Sequence, residues 1–327
     1  MILVVKMRFE YFYKTNMPID DDWADEESWD VLISAYNSSE RVGRIFDKVR
    51  ASTKIWLIFP HYDYSPSEYP KVGNVFFTPE LDEAEYLNIF FDAWYDRIKG
   101  KRVCVDITGF MRPHLIFLVK LLQYRGVRNF DAIYSDPGRY QDKDDTKFAN
   151  GPVTEVRPVA GYGGVPNNDS NNDILLMGVG YDHELLKQVV DHKDYANVLT
   201  LWGFPSLRAD MYQESVIRAS QAHEAAFPNG KGKTRYFAPA NDPFVTAARI
   251  QEIVTNENNR KPITNLYLSP LATKAQVLGF ALYCLYAKED AISLIFPFSK
   301  GYAKETSKGI SSIWKYSIEL PEISLDE

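Results

Sequence analysis

Cysteine is nearly absent: Cys104 and Cys284 are the two in 327 residues, and each lies in an apolar pattern that reads as a buried, reduced thiol. That scarcity argues against a disulfide framework or a cysteine-based zinc site. The five histidines, His61, His114, His183, His192 and His223, are not spaced as a ligand pair on one helix or strand, so neither a metal nor another cofactor is expected. No apolar run reaches membrane-spanning length, and the opening MILVVKMRFEYFYK has neither a continuous signal-peptide core nor a small-residue cleavage site. A cytoplasmic protein without a membrane partner is the expectation. A basic surplus is also missing. The 37 Lys and Arg against 44 Asp and Glu give a net charge of -7, which argues against duplex nucleic acid as a ligand. A small anionic ligand passes that test, because a pocket of backbone amides with one or two cations suffices to hold it.

Several motifs of nucleotide and acyl chemistry are absent too. GVGYDH, after the apolar run ILLM, lacks the third glycine of a dinucleotide fingerprint, and the chain has no GxxxxGK[ST] phosphate loop and no GxSxG elbow. What is present is ordinary globular composition, 45% hydrophobic and 25% charged, enough apolar content to build packed cores. Val31 to Ile33 form a short apolar strand, Ser34 to Ser39 a polar turn and Glu40 to Val49 an amphipathic helix. The same order returns in IWLIFPHYDYS, VCVDITGFMRPHLIFLVKLL and FDAIYSDPGRY. Strand, polar loop, helix is the grammar of a parallel α/β sheet. Met1 to Lys14 reads as an additional strand, and the acidic stretch from Asp20 to Glu27 as a solvated loop.

After the glycine- and asparagine-rich stretch from Gly161 the grammar starts again, in DILLMGVGYDHELLKQVV, VLTLWGFPSLRADM, TNLYLSPLATKAQVLGFALYCL and AISLIFPFSKGY. Ile55 matches Val198 at an offset of 143, whereas Asp106 matches Ser269 at 163 and Tyr140 matches Tyr302 at 162. One insertion in the second half, placed at Ser206 to Glu224, accounts for the step. Thr154 to Val159 and Trp314 to Leu320 both alternate like a closing strand. The expected fold is therefore two tandem Rossmann-like parallel-sheet units related by internal duplication. Residues 1–160 form the first, 161–172 a linker and 173–327 the second.

In such sheets ligands bind beyond the carboxyl ends of the strands, at the switch point where neighbouring loops diverge. In the first half this selects Ser34, Asn37, Ser38 and Ser39; Pro60, His61 and Tyr62; Asp106, Thr108, Gly109 and Arg112; and Ser135, Asp136 and Arg139. In the second it selects Gly178, Gly180, Tyr181 and Asp182; Gly203 and Arg208; Ser269, Thr273 and Lys274; and Ser299, Lys300 and Tyr302. DITGFMR and LSPLATK stand out, since each follows an apolar strand, carries hydroxyls at the turn and ends in a cation at a helix start. The hydroxyls of Thr108 and Thr273 suit a phosphate, with Arg112 or Lys274 supplying charge; equally, they suit plain helix capping. His61, Asp106 and Asp136 are the acid/base candidates if there is a reaction, His61 reading otherwise as a surface histidine in a tyrosine-rich loop. The 21 tyrosines, among them Tyr36, Tyr62, Tyr64, Tyr140, Tyr162, Tyr181 and Tyr302, suit base stacking or a protein interface.

On DITGFMR and LSPLATKAQ the chain resembles the CRISPR-associated Rossmann-fold (CARF) nucleotide-sensing domains, in which a strand runs into a threonine- and glycine-bearing turn followed by a lysine. It departs from their usual TGGTK run, with Phe110 at the second glycine in one half and no glycine in the other. The resemblance implies a sensor of cyclic or linear oligonucleotide messengers in a prokaryotic antiviral defence system, or a protein that degrades them. Such a protein works with a partner chain or as a homo-oligomer. An enzyme acting on a nucleotide or nucleotide-sugar and a non-catalytic scaffold subunit are the alternatives.

Overall fold

The structure, a computed structural model, describes residues 8–20, 23, 27–140, 152–180, 182–207, 234–287, 291–302, 304 and 307–323. The chain divides into two compact units. The first comprises Phe12–Gly151 and Lys300–Glu327, the second Met1–Tyr11 and Pro152–Ser299.

In the first unit the elements are β1 (Tyr13–Met17), β2 (Trp29–Ala35), α1 (Glu40–Lys48), β3 (Ala51–Ile58), β4 (Asn74–Phe77), α2 (Glu83–Ile98), β5 (Val103–Asp106), α3 (Arg112–Tyr124) and β6 (Asn129–Tyr140). The second unit holds β7 (Val153–Pro158), β8 (Ile174–Val179), α4 (His183–His192), β9 (Asn197–Gly203), β10 (Arg235–Ala238), α5 (Pro243–Arg260), β11 (Leu266–Pro270), α6 (Lys274–Ala287) and β12 (Ile292–Ser299), and β13 (Ser307–Glu319) returns to the first. The local reasons are visible in the residues. Val31, Leu32 and Ile33 are buried on consecutive positions, as a strand covered on both faces requires. Val42, Ile45 and Phe46 put the apolar stripe of α1 on one side. Asp82 caps α2 by accepting the Ala84 and Glu85 amides at 2.8 and 3.1 Å. In the second unit Gly279 lets α6 cross α5 closely, since a Cβ there would lie 2.5 Å from Pro243 O.

The two sheets share one strand order. The first runs β4-β3-β2-β5-β6-β13-β1 and the second β10-β9-β8-β11-β12-β7. Five strands are parallel in each, followed by one antiparallel strand, and in the first sheet β1 adds a seventh strand antiparallel to β13. This is the doubly wound order 3-2-1-4-5, with the switch point between β2 and β5 in one unit and between β8 and β11 in the other. Registers match as well: Ser34 lies beside Asp106 and Met177 beside Ser269. The lengthening of the second half falls between β9 and β10, which are joined by residues 204–234, against 59–73 between β3 and β4. Most of the segment proposed as the insertion lies outside the described residues.

Four expectations need correction. The first concerns the closing strands, which are exchanged. β7, placed by sequence order in the first unit, pairs antiparallel with β12, and β13, placed in the second, pairs antiparallel with β6. Domain boundaries drawn at 160 and 173 therefore cut through both sheets. Second, the 161–172 stretch is no inter-domain linker. It belongs to the second unit, where Asn167 N–H donates to Asn265 Oδ1 at 2.6 Å and Asn172 N–H to Thr264 Oγ1 at 3.1 Å. Third, residues 1–7 of the Met1–Lys14 strand reading lie outside the described residues, and in the rest Phe9–Tyr11 form a 3-10 turn, the first described strand being Tyr13–Met17. Finally, β6 continues through Tyr140, so Ser135, Asp136 and Arg139 sit within a strand rather than in a loop, because β13 supplies the ladder that keeps it extended.

Ile313, fully buried on β13, tests the exchange. Ile313→Ala should cost about 2–5 kcal/mol. Hydrogen exchange should show the lost protection in β6, in the first unit, whereas β12 amides in the second stay protected.

Candidate functional site

In the first unit a buried polar network sits at the carboxyl ends of β2, β5 and β6. Ser34 Oγ donates to Asp106 Oδ2 at 2.9 Å, and the Thr108 amide donates to Oδ1 at 3.0 Å. The Ser135 amide donates to Thr108 Oγ1 at 3.1 Å, and Arg41 Nη1, from the first turn of α1, donates to Ser135 O. Burial pushes the Asp106 carboxyl up to about 6, against the opposing pull of the Thr108 and Ser34 hydrogen bonds and the Arg41 charge. Gly109 is required here, as a Cβ would fall 2.0 Å from Ala35 O. Ser34, Thr108 and Arg112 are all buried.

Around this network lies a rim of tyrosines. Tyr36 and Tyr64 pack with ring centroids 5.1 Å apart, and the Ser38 amide donates to Tyr64 Oη at 2.8 Å. Tyr62 Oη donates to Gly109 O at 3.4 Å, and burial raises its phenol far above the usual range. The Lys304 ammonium lies 4.3 Å from the Tyr64 ring centroid and 3.0 Å from Glu68 Oε1. Asn37 is half-buried, Ser38 exposed and Lys300 exposed. The accessible polar groups thus come from the β2–α1 loop, and the DITGFMR turn lies beneath the surface.

The helix ends at the two switch points differ. Ser39 is the N-cap of α1 but its side chain makes no capping bond, and α3 starts after Met111, which has none to make. In the second unit Asp182 caps α4 by accepting the Leu185 amide at 3.3 Å, and Thr273 caps α6 by accepting the Gln276 amide at 3.2 Å. The capping reading therefore describes Thr273, whereas Thr108 is turned to Ser135 instead. Lys274 is half-buried at the first position of α6 and Ser299 is buried at the end of β12. Ser269 is fully buried. Gly178 packs against Phe280, and a Cβ at Gly180 would lie 2.0 Å from Leu271 O. The two central loops thus touch in both units, with the permissive glycine on opposite partners. Tyr181 and Arg208 lie outside the described residues.

His61 is not a surface histidine. It is buried in the 3-10 turn Pro60–Tyr62, its ring 5.3 Å from His114 and 5.9 Å from Tyr302, and its carbonyl accepts the Tyr302 amide at 3.0 Å. Burial lowers its pKa to about 4, with the Glu83 charge opposing, so the imidazole is neutral at pH 7. Asp136 accepts from Trp314 Nε1 at 2.8 Å, tying β6 to β13. Strand alternation turns it to the face opposite Ser135. The three acid/base candidates thus serve separate buried contacts. Among the described residues no three His, Cys, Asp or Glu side chains form a group that could hold a metal, and no helix is long and apolar enough to cross a membrane. Arg41 was missed in the sequence, although the signal that selected Arg112 and Lys274, a cation at the electropositive end of a helix, applies to it equally.

No protein-family model matches the chain, and no curated protein matches it.

The shifted carboxyl has a testable consequence. A carboxyl raised from 3.8 when unfolded to about 6 when folded contributes stability that is complete below pH 3.8 and lost as the pH rises through 6. His61, lowered from 6.5 to about 4, acts in the opposite sense: its contribution is complete above pH 6.5 and is lost as the pH falls through 4. Chemical denaturation between pH 4 and 7 should show Asp106→Asn removing a loss on the order of 2–3 kcal/mol, so the stability of the variant relative to wild type rises with pH. A pH-independent difference would contradict the assignment.

Proposed function

We propose that the protein binds a small phosphate-bearing ligand, a nucleotide or short oligonucleotide messenger, at the switch point of its first unit. One observation carries this reading. The first unit brings together, at the carboxyl ends of its strands, a helix end without a side-chain cap and the paired rings of Tyr36 and Tyr64. The helix end offers amides and a positive dipole to phosphate oxygens, and the rings offer a face to a base. Asn37 and Ser38 supply hydrogen-bonding groups between them, and Lys304 supplies a cation beside the rings. The resemblance of DITGFMR and LSPLATKAQ to messenger-sensing domains favours the same ligand class, and with it a sensor that signals through a partner chain in antiviral defence.

Binding is favoured over turnover by the state of the candidate catalytic groups. His61 is buried and neutral. Both carboxylate oxygens of Asp106 accept hydrogen bonds from its own unit, and Asp136 holds Trp314. None is poised as a general base.

Thermal shift against mononucleotides, dinucleotides and short linear and cyclic oligonucleotides, with mass spectrometry of the recovered ligand, tests this directly. A base-bearing ligand should raise Tm and be recovered intact. Tyr36→Leu, which removes the half-buried ring of the platform, should weaken that ligand by about 1–3 kcal/mol. Silence across the panel, or an unchanged affinity in Tyr36→Leu, would sink the nucleotide reading; recovery of cleaved ligand would replace the sensor with an enzyme.

A further inference from the structure

The two switch points are the same place in a repeated fold, yet their leading helices begin in chemically opposite ways. Ser39 and Asp182 are equivalent positions, each the N-cap of the helix that follows the first parallel strand of its unit, β2 or β8, and they are separated by the same offset, 143, as Ser34 and Met177. Asp182 closes the end of α4 with a carboxylate that accepts the Leu185 amide. Ser39 closes nothing. Ser39 is 6% exposed and its buried hydroxyl has no hydrogen-bond partner, and two residues on, Arg41, 8% exposed, likewise has no partner at Nε.

Buried donors without acceptors are costly, and a charged donor more so. Arg41 is also a cation in the first turn of a helix, where the dipole opposes it. Two features therefore disfavour this helix end unless an anion occupies it: an unused hydroxyl and an unused guanidinium N–H, the acid of the first turn being Glu40. Ser39 O takes the Val42 and Gly43 amides at 3.1 and 3.4 Å, so the Glu40 and Arg41 amides are the ones that face out of the helix end. Glu40 is exposed and lies 3.8 Å from Arg44, on the solvent side. Asp106, the other nearby acid, spends both oxygens on Ser34 and Thr108.

We propose that the amino end of α1, through Ser39 Oγ, Arg41 Nε and the Glu40 and Arg41 amides, is a phosphate site, and that the equivalent end of α4 is not one because Asp182 already fills it. The chain then carries one phosphate site rather than two, and the duplication has left one unit to bind. This deepens the nucleotide reading and rests on it for the identity of the natural ligand, but the phosphate site stands or falls by itself.

Inorganic phosphate, titrated into the full chain to tens of millimolar and followed by amide resonances, is the probe. The Glu40 and Arg41 amides should shift saturably, with one phosphate bound per chain. Ser39→Asp installs the cap that the other unit already has, so it should preserve folding and Tm while abolishing the shifts. Arg41→Gln should weaken binding roughly tenfold or more, and Asp182→Ala should leave the α1 shifts as they are. Absence of saturable shifts at Glu40 and Arg41 overturns the proposal, as does unchanged binding in Ser39→Asp or an equal site at α4 in wild type. A parallel titration with AMP separates the two readings. Phosphate binding that Ser39→Asp removes, with no gain from the nucleoside, keeps this site and refutes the nucleotide. Tight AMP binding that Ser39→Asp leaves intact keeps the nucleotide and refutes this site.

Discussion

β13 runs antiparallel along β6 from Ser307 beside Tyr140 to Glu319 beside Asn129, and the polar centre of the first unit is built on that ladder. Without it β6 would be an open edge. With it, the strand stays extended past the point where its parallel neighbour β5 stops, and Ser135 is delivered next to Thr108. From Ser135 the chain of contacts runs to Arg41 on α1, and from Thr108 to Asp106 and Ser34. A strand from the far end of the sequence thus fixes the geometry of loops near its beginning. Trp314, whose indole donates to Asp136, locks the same ladder from the other face.

Repetition and divergence have separate physical bases here. What repeats is the apolar framework: five parallel strands in one order, an antiparallel sixth, and central loops close enough that one of them needs a glycine. These features depend on backbone pairing and burial, which many apolar side chains satisfy. What differs is the polar chemistry at the switch points. Asp106 has Ser269 as its counterpart, and Ser39 has Asp182. The first unit buries the Asp106 carboxyl within reach of the Arg41 charge and leaves the Ser39 hydroxyl at the start of α1 without a hydrogen bond, whereas the second unit spends the Asp182 carboxylate on capping α4.

Much of this was legible in the residues. Strand, polar loop and helix recur with the right lengths because each strand is a short apolar run ended by hydroxyls or glycine, and the offsets of 143 and about 163 reappear as matched registers. The loops bearing Ser34, Asp106 and Ser269 could be placed because a doubly wound sheet puts polar residues at the carboxyl ends of its strands. The reading of His61 as a surface residue failed because Tyr-rich polar surroundings look exposed in sequence. His114 and Tyr302, whose rings pack against it, are remote along the chain.

The sequence by itself determined the local alternation of elements, their duplication and the class of fold, since these follow from periodicity and turn chemistry within short windows. Only the tertiary structure decided which sheet each closing strand joins, that the Gly161–Asn172 stretch is stitched to its own unit, and which hydroxyls cap helices and which do not. Those outcomes turn largely on pairings outside any short window of sequence, such as Trp314 with Asp136, Tyr302 with His61, Asn167 with Asn265 and Thr108 with Ser135. An edge strand carries the same alternating pattern whichever sheet it completes.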